Sequence, residues 1–157
     1  MEGESFDESE LFRAVAASGA RSLLFGRQAV VALGAPVLTG DYDFWLAIDD
    51  IDKFNRALEP LGFSPTKTPE QARASGRYVL EGDTRIDVLI ARAASSADGE
   101  RLSFEDAWTR RQTLRAGAVE VTLPSIPDLI RTKRWSSRPK DLEDIRFLEL
   151  ISAETKP

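Results

Sequence analysis

The sequence of 157 residues contains no cysteine and no histidine. Without cysteine it has no disulfide, no thiolate zinc site and no cysteine nucleophile, and without histidine the commonest general acid–base group is missing. Any chemistry must therefore use carboxylates, lysine, arginine, hydroxyl groups or a bound metal. The sequence also lacks an apolar run long enough to span a bilayer, and its acidic N-terminus lacks the pattern of a signal peptide. We expect a cytoplasmic protein without a membrane partner.

The charge balance argues against DNA as a partner. The formal net charge is −5, with the acidic excess in the first hundred residues and a slightly basic C-terminal third. A general nucleic-acid-binding protein carries a basic footprint, although a local basic patch near the C-terminus remains possible. The length predicts one domain over 1–157. We expect residues 1–8 to be flexible and residues 124–157 to form a helical segment.

A strand beginning near Asp43 is the most informative stretch. In an extended chain, side chains two residues apart point to the same face, so Asp41 and Asp43 project together while Tyr42 and Phe44 face the other way. Two adjacent carboxylates at the start of an apolar strand repel each other and are costly to bury without a cation. A pair of magnesium ions would supply that cation. The alternative is a plain acidic turn before a strand.

Two further positions stand out beside predicted strands. Asp87 lies between Ile86 and Val88 in a strand predicted over 84–91, where a fully buried strand would carry an aliphatic residue. The alternative is a solvent-facing residue of an edge strand. Gly26 lies between a strand predicted over 21–25 and a helix predicted over 28–33, where a glycine lets the backbone approach a phosphate at the helix N-terminus. Such junctions are common in other folds as well.

The remaining periodicity outlines an α/β protein. It predicts amphipathic helices over 9–18, 51–61, 103–115, 127–135 and 140–151, and strands over 77–81 and 119–123. We predict a loop with one helical turn over 64–76, a polar linker over 93–99, and a break between the last two helices at 136–139.

The predicted elements follow one another as a strand, Gly26, a helix, a strand that begins with Thr-Gly-Asp-x-Asp, a second helix, and a strand with a third aspartate. This order resembles the nucleotidyltransferase fold of the polymerase-beta type. The segment 127–145, Pro-Asp-Leu-Ile-Arg-Thr-Lys to Arg-Pro-Lys-Asp-Leu-Glu-Asp-Ile, is similar to small bacterial members, including AbiEii-type toxins of toxin–antitoxin systems. The resemblance covers about 20–150. It implies a small twisted mixed sheet with helices mainly on one face, and a C-terminal helical pair that closes a nucleotide cleft.

The resemblance also implies roles for particular residues. Asp41, Asp43 and Asp87 match the carboxylates that bind Mg²⁺ or Mn²⁺, and Asp87 matches the one that helps to activate the acceptor hydroxyl. Gly26 matches the first glycine of the phosphate loop, and Lys133 matches a lysine that reaches the nucleotide phosphates.

Asp141 matches an acidic residue that binds or positions the tail lysine. The implied activity is metal-dependent transfer of a nucleoside monophosphate from a nucleoside triphosphate to an RNA end, a protein or a small molecule. A toxin with an antitoxin partner is one form of this function. The alternative is a catalytically inactive nucleotide-binding or partner-binding module.

Two positions depart from the pattern of these nucleotidyltransferases. Arg27 stands where they usually have serine or glycine, and Val37 stands where they have an arginine. In the enzyme hypothesis Arg27 binds the triphosphate. In the inactive hypothesis it pairs with Asp41 or Asp43 and takes the metal's place.

The basic tail admits two interpretations. Lys133 can point into the cleft as an exposed lysine, whose replacement by alanine would leave folding nearly intact, or the whole basic set can simply face water. That set is Arg131, Lys133, Arg134, Arg138 and Lys140. Among the three tryptophans, Trp135 is the best candidate for stacking on a base, with core packing as the alternative.

Overall fold

The computed structural model describes residues 6–37, 39–96, 98–116, 118–135 and 138–155. A five-stranded mixed sheet lies at its centre, with strand order β1-β2-β5-β4-β3. The β2–β5 pair is parallel and the other neighbours are antiparallel. The strands are β1 (Ser22–Phe25), β2 (Tyr42–Leu46), β3 (Ser64–Pro65), β4 (Arg77–Glu81) and β5 (Arg85–Leu89).

Helices flank this sheet, and two small antiparallel hairpins follow it in the chain. The hairpins pair β6 (Ala93–Ser95) with β7 (Arg101–Ser103), and β8 (Gln112–Ala116) with β9 (Val119–Leu123). The helices are α1 (Glu8–Ala17), α2 (Gly26–Ala32), α3 (Ile51–Leu58), α4 (Pro69–Ser75), α5 (Phe104–Thr109), α6 (Ile126–Lys133) and α7 (Pro139–Thr155). Within the described ranges, no helix is both long and apolar enough to cross a membrane.

Strand alternation gives the sheet one fully buried face. Tyr42 and Phe44 of β2 belong to the main core, together with the β5 residues Ile86 and Val88. Helix α3 covers this face because its apolar residues recur at helical spacing, and Phe54 is fully buried there. The predicted mixed sheet and flanking helices are confirmed.

The opposite face of the sheet is only partly covered. A second core cluster packs Leu23 and Trp45 against Phe104 and Ala107 of the β7–α5 region, with Trp135 beside it. This cluster leaves the first residues of β2 and most of β5 uncovered by apolar packing. The open part of this face carries Asp43 and Asp87.

The C-terminal helical pair is confirmed. Helices α6 and α7 pack against each other, and both contact α2. The predicted break at 136–139 includes residues 136 and 137, which lie outside the described residues. Helix α7 begins at Pro139, a favoured first-turn residue.

Three predicted segments differ from the structure. The predicted loop over 64–76 contains β3 and the two-turn helix α4, because Thr68 and Gln71 form a capping box and Gly76 ends the helix in a left-handed conformation. The predicted linker over 93–99 contains β6, which pairs with β7. The predicted helix over 103–115 ends at Thr109.

The early end of α5 has a tertiary cause. From Gln112 the chain pairs with β9 as a hairpin, and Leu114 and Val121 pack on the main core. Hairpin pairing and packing on the main core therefore outweigh helix propensity in this segment. At the N-terminus, residues 1–5 of the predicted flexible segment 1–8 lie outside the described residues. Asp7 and Glu8 are ordered, with Asp7 as the N-cap of α1.

Candidate active site

Asp43 and Asp87 occupy directly paired positions on the neighbouring parallel strands β2 and β5. Because paired residues of adjacent strands point to the same face, both carboxylates project from the open face of the sheet. Strand β5 is the central strand, flanked by β2 and β4. The edge-strand interpretation of Asp87 is therefore wrong, and the sheet itself brings these two acids together.

The electrostatic environment of Asp43 is unfavourable for a free carboxylate. Burial, followed by repulsion from Asp87, raises the pKa of Asp43 from 3.8 to about 6. Asp41 adds a smaller repulsion, and the positive charge of Lys133 opposes the shift. Burial and the neighbouring carboxylates therefore both disfavour the charged form of Asp43.

The other two aspartates differ from Asp43 in their surroundings. Asp87 accepts hydrogen bonds from its neighbour Arg85, at 2.9 Å from Nη2 to Oδ1 and 3.1 Å from Nε to Oδ1. Asp41 directly precedes β2 and is exposed. In the part of the chain that the structure describes, no three acidic side chains are grouped closely enough to hold a metal ion as they stand. Two of the three predicted carboxylates are adjacent, and the third lies at the rim of the same cavity.

Gly26 lies beneath Asp43. Its φ angle is +67°, and a Cβ built on it would overlap a carboxylate oxygen of Asp43 and come within 3.1 Å of the Asp43 Cβ. Phe25, the residue before it, pairs with Asp43 across β1 and β2. Only glycine combines this backbone conformation with so close an approach. The glycine of the predicted phosphate loop thus touches the predicted metal ligand.

A cavity of about 310 Å³, the Lys133 cavity, lies between the open face of the sheet, α2 and the C-terminal helices. Its lining includes all seven residues that the sequence analysis selected: Gly26, Arg27, Asp41, Asp43, Asp87, Lys133 and Asp141. Residues far apart in sequence are therefore brought to one place.

Lys133 is buried within an acidic cluster and is not an exposed lysine of the cleft. Its Nζ donates a hydrogen bond to Oδ2 of Asp144 at 2.8 Å and lies 3.8 Å from Oδ1 of Asp141. Only about 5% of Lys133 is exposed. Lys133 lines the cavity with Asp141 beside it, as the cleft hypothesis expects, but it is not exposed, and the alternative of a solvated lysine is wrong. The structure instead predicts that replacing Lys133 destabilises the fold, because a buried charge pair would be broken.

Arg27 pairs with the C-terminal helix. Its Nε lies 3.3 Å from Oδ1 of Asp144, and its Nη2 lies 2.7 Å from Oε1 of Glu143. The hypothesis that Arg27 pairs with Asp41 or Asp43 in place of a metal does not describe this arrangement. Val37 packs against the main core, so this position supplies an apolar contact where the pattern used in the sequence analysis has an arginine.

Asp144 is the functional candidate that the sequence analysis missed. It is almost completely buried and joins the two cations Lys133 and Arg27. Its spacing of three residues from Asp141 puts both carboxylates on one face of α7. That spacing was visible in the sequence. The packing of α7 on α6 and α2, which brings Asp144 to Lys133 and Arg27, was not.

Trp135 lies at the edge of the site. Its ring meets Trp45 edge-on at 5.3 Å between centroids and Phe25 at 6.2 Å. It remains partly exposed and lines the Lys133 cavity. One part of the indole is thus packed as core and another part borders the open site, so stacking on a base stays a prediction.

The sheet order, the paired strand aspartates and the C-terminal helical pair define a nucleotidyltransferase fold, and solved structures share it. The lincosamide antibiotic adenylyltransferase LnuA, in a lincomycin-bound crystal structure, matches with a TM-score of 0.64 and 16% identity over 94% of this chain and 99% of that chain. The antibiotic-resistance factor ANT(2″)-Ia matches with a TM-score of 0.63 and 15% identity, over 92% of this chain and 82% of that one.

A third similar structure is an antigenic nucleotidyltransferase-like protein from Paracoccidioides brasiliensis, with a TM-score of 0.52 and 18% identity over 93% of this chain and 78% of that one. A crystal structure of ANT(2″)-Ia contains adenylyl-2″-tobramycin. No protein-family model and no curated protein matches this chain. The nucleotidyltransferase fold is confirmed, and the closer likeness to AbiEii-type toxins stays a prediction.

Proposed function

We propose that this protein is a metal-dependent nucleotidyltransferase that transfers a nucleoside monophosphate from a nucleoside triphosphate to the hydroxyl group of a small molecule. The observation that carries the proposal is the direct pairing of Asp43 and Asp87 on the open face of a nucleotidyltransferase-fold sheet. Gly26, Arg27 and Lys133 line the cavity beside that pair. Carboxylates on one side and cations on the other suit a triphosphate bound through a divalent ion.

The donor set fits a hard divalent cation. Asp43 and Asp87 offer oxygen ligands, and Asp41 adds a third carboxylate at the rim. The pKa of Asp43 is raised by burial and then by repulsion from Asp87, and a bound cation would oppose both effects. We assign these three residues as the ligands of Mg²⁺ or Mn²⁺. When bound, the ion supplies charge neutralisation for the triphosphate and for the developing negative charge of the transition state. Binding also requires Asp87 to exchange its contact with Arg85 for the ion.

The chain's own groups then position the reactants. Gly26 lines the cavity and leaves the space that the Asp43 carboxylate occupies. Lys133 and Arg27 bind phosphate oxygens in exchange for their contacts with Asp144 and Glu143. Asp141 and Asp144 hold Lys133 in place while the cavity is empty. In the transfer step the acceptor oxygen bonds to the α-phosphorus and the bond to pyrophosphate breaks. Asp87 accepts the hydroxyl proton.

A small-molecule acceptor is supported by the size of the cavities and by the neighbours. LnuA is named as a lincosamide antibiotic adenylyltransferase and ANT(2″)-Ia as an antibiotic-resistance factor, and their structures contain lincomycin and adenylyl-2″-tobramycin. The likeness of the segment 127–145 to AbiEii-type toxins suggests instead an RNA or protein acceptor and an antitoxin partner. Both kinds of acceptor belong in the assay.

One observation favours a non-catalytic nucleotide-binding module as the second candidate. Three cations near the two aspartates already have acidic partners: Lys133 and Arg27 contact acids of α7, and Arg85 contacts Asp87. Such a self-neutralised site can hold the fold together without catalysis. The two candidates differ in whether a label moves from the nucleotide to an acceptor.

The test is transfer of label from each α-labelled nucleoside triphosphate, with Mg²⁺ or Mn²⁺, to a panel of small hydroxyl compounds, total RNA or a protein extract. The proposal expects labelled product and released pyrophosphate, both lost in Asp43→Asn and Asp87→Asn. Asp83→Asn, an identical change of charge at an exposed turn, should keep full transfer. Magnesium-dependent nucleotide binding without transfer to any acceptor would support the binding module instead. Transfer confined to RNA or protein would support the toxin hypothesis.

A further inference from the structure

A second cavity, the Arg77 cavity, extends from the two paired aspartates over β4 and β5. It has a volume of about 340 Å³. It shares four lining residues with the Lys133 cavity: Phe25, Asp43, Asp87 and Trp135. The two cavities therefore meet at the carboxylates to which we assign the metal. A molecule bound in one cavity can therefore contact a molecule bound in the other cavity beside Asp43 and Asp87.

The floor of the Arg77 cavity is apolar. Val79 of β4 pairs with Asp87, and Leu89 of β5 pairs with Arg77, so both aliphatic side chains lie on the open face of the sheet. Trp135 borders the same space. A cavity with an apolar floor and a few polar groups at its rim is typical of a site for a small organic molecule.

The rim of this cavity is basic. Lys67, Arg77 and Arg85 line it, whereas its acidic lining residues are Asp43 and Asp87. The Nζ of Lys67 donates to neutral acceptors, Oγ of Ser75 at 2.9 Å and the carbonyl oxygen of Arg77 at 3.1 Å. Within the described ranges, the Arg77 side chain has no ion-pair partner. Two cations at the rim are therefore not neutralised by a carboxylate.

Binding of the divalent ion would increase this imbalance. Arg85 neutralises Asp87 at present, but an ion held by Asp43 and Asp87 would release its guanidinium. The carboxylates would then be neutralised by the ion, and three basic side chains would face the cavity without acidic partners. Arginine binds carboxylates and phosphates in a bidentate manner.

We propose that the Arg77 cavity is the acceptor site and that the acceptor is an anion: a small molecule with a flat or apolar body, a hydroxyl group, and a carboxylate or phosphate. This inference rests on the proposed function and specifies its substrate class. The apolar body lies over Val79 and Leu89, the anionic group meets Arg77 and Lys67, and the hydroxyl group points to Asp87. Polyamine acceptors such as aminoglycosides are excluded by the basic rim. The bonds formed and broken are those of the transfer step above, with pyrophosphate as the leaving group.

Binding is measured first, so that the result does not depend on catalysis. Three probes share a hydroxyphenyl body: 3-(4-hydroxyphenyl)propanoate is anionic, tyrosol is neutral and tyramine is cationic. Phenyl phosphate separates a phosphate site from a carboxylate site. Each is titrated into the full chain with Mg²⁺ and a non-hydrolysable nucleoside triphosphate, and binding is followed by nuclear magnetic resonance. We expect an anionic probe to bind at least about tenfold more tightly than tyramine.

Variants then locate the binding site. Arg77→Gln and Lys67→Gln should each weaken the anionic probe by about tenfold, and Arg77→Lys should recover part of the loss. Arg73→Gln, an exposed arginine of α4 outside the cavity, should change nothing. Equal or tighter binding of tyramine, no binding of any anionic probe at millimolar concentration, or an equal effect of Arg73→Gln would overturn the inference.

Transfer assays separate this inference from the proposed function. Label transfer to a cationic acceptor, with none to anions, leaves nucleotidyl transfer standing and refutes the anionic acceptor. Anion binding that depends on Arg77, without transfer from any nucleotide, refutes the transferase and also the acceptor role of the cavity. Transfer to an anionic hydroxyl compound, weakened in Arg77→Gln, supports both.

Discussion

The ammonium group of Lys133 lies 2.8 Å from a carboxylate oxygen of Asp144, and both side chains are buried. Arg27 binds the other oxygen of that carboxylate. Asp144 therefore connects the end of α6 to the start of α2 through helix α7. Asp144 thus forms ion pairs with two cations of the site that we assign to the triphosphate, and these pairs fix the positions of both side chains.

Replacing Lys133 should destabilise the protein even without ligand. Lys133→Met leaves Asp141 and Asp144 buried without their shared cation, and breaking a buried ion pair costs about 3 kcal/mol. We expect the free energy of unfolding in urea to fall by about that amount, and nucleotide binding to weaken. Arg134→Met, at an exposed arginine one residue later, should cost less than about 0.5 kcal/mol. Equal stability of the two variants would contradict the described network.

Asp43 should make the stability of the metal-free protein depend on pH. Its pKa rises from 3.8 to about 6 on folding, so the folded state binds the proton more tightly than the unfolded state. The contribution of Asp43 to stability is therefore most favourable below pH 3.8 and is lost as the pH rises through about 6. With a chelator present, the stability gained by Asp43→Asn over the natural sequence should grow between pH 4 and pH 7.

The size of that gain is on the order of 2 kcal/mol, since each unit of pKa shift corresponds to about 1.4 kcal/mol. Urea unfolding at several pH values measures it. Asp83→Asn should show no such growth, because Asp83 is exposed on the turn between β4 and β5. A gain that stayed constant across this range would show that Asp43 titrates normally in the folded state.

The contact between Gly26 and Asp43 can be isolated by comparing two glycines. Gly26 and Gly19 have similar φ angles, +67° and +78°, but an added Cβ meets Asp43 at Gly26 and nothing within 4 Å at Gly19. Gly19→Ala should cost about 1 kcal/mol of stability from backbone strain alone. Gly26→Ala should cost more and should also weaken Mg²⁺ binding, measured by calorimetry.

A double-mutant cycle checks the origin of the extra cost. Asp43→Ala should recover part of the stability lost in Gly26→Ala, because the atoms that overlap are removed. Strict additivity of Gly26→Ala and Asp43→Ala would mean that strain at Gly26 is independent of the carboxylate.

Arg85 should compete with the divalent ion for Asp87. Its guanidinium makes two contacts of 2.9 and 3.1 Å to one oxygen of that carboxylate, and Arg85→Gln removes this competitor. We expect Mg²⁺ affinity to rise by up to about fivefold, since an exposed ion pair is only a weak competitor. Calorimetric titration measures it, with Arg73→Gln as the matched control. Weaker Mg²⁺ binding in Arg85→Gln would show that Asp87 is not a ligand.

Local patterns in the sequence predicted the centre of the protein well. Tyr42 and Phe44 alternate with Asp43, and Ile86 and Val88 flank Asp87. Those patterns alone predict that both aspartates point away from the core, and in the structure the aspartates are less buried than the residues on either side of them. The hairpin from Gln112 was missed because its pairing with β9 outweighs the helical pattern that continues past Thr109. The length of helix α4 was underestimated, with a single turn predicted within 64–76, although its capping residues, Thr68 and Gln71, were visible.

The sequence by itself determined which residues form the strand with Asp43, which face its carboxylate takes, and that the chemistry uses neither cysteine nor histidine. These properties depend on composition and on neighbours one or two residues away. Only the tertiary structure decided that Asp87 stands beside Asp43, that Arg27 and Lys133 share Asp144, and that Arg77 faces a second cavity. Those side-chain contacts join residues 11 to 117 positions apart, and they exist because burial of the apolar faces of the sheet and helices fixes where each segment docks.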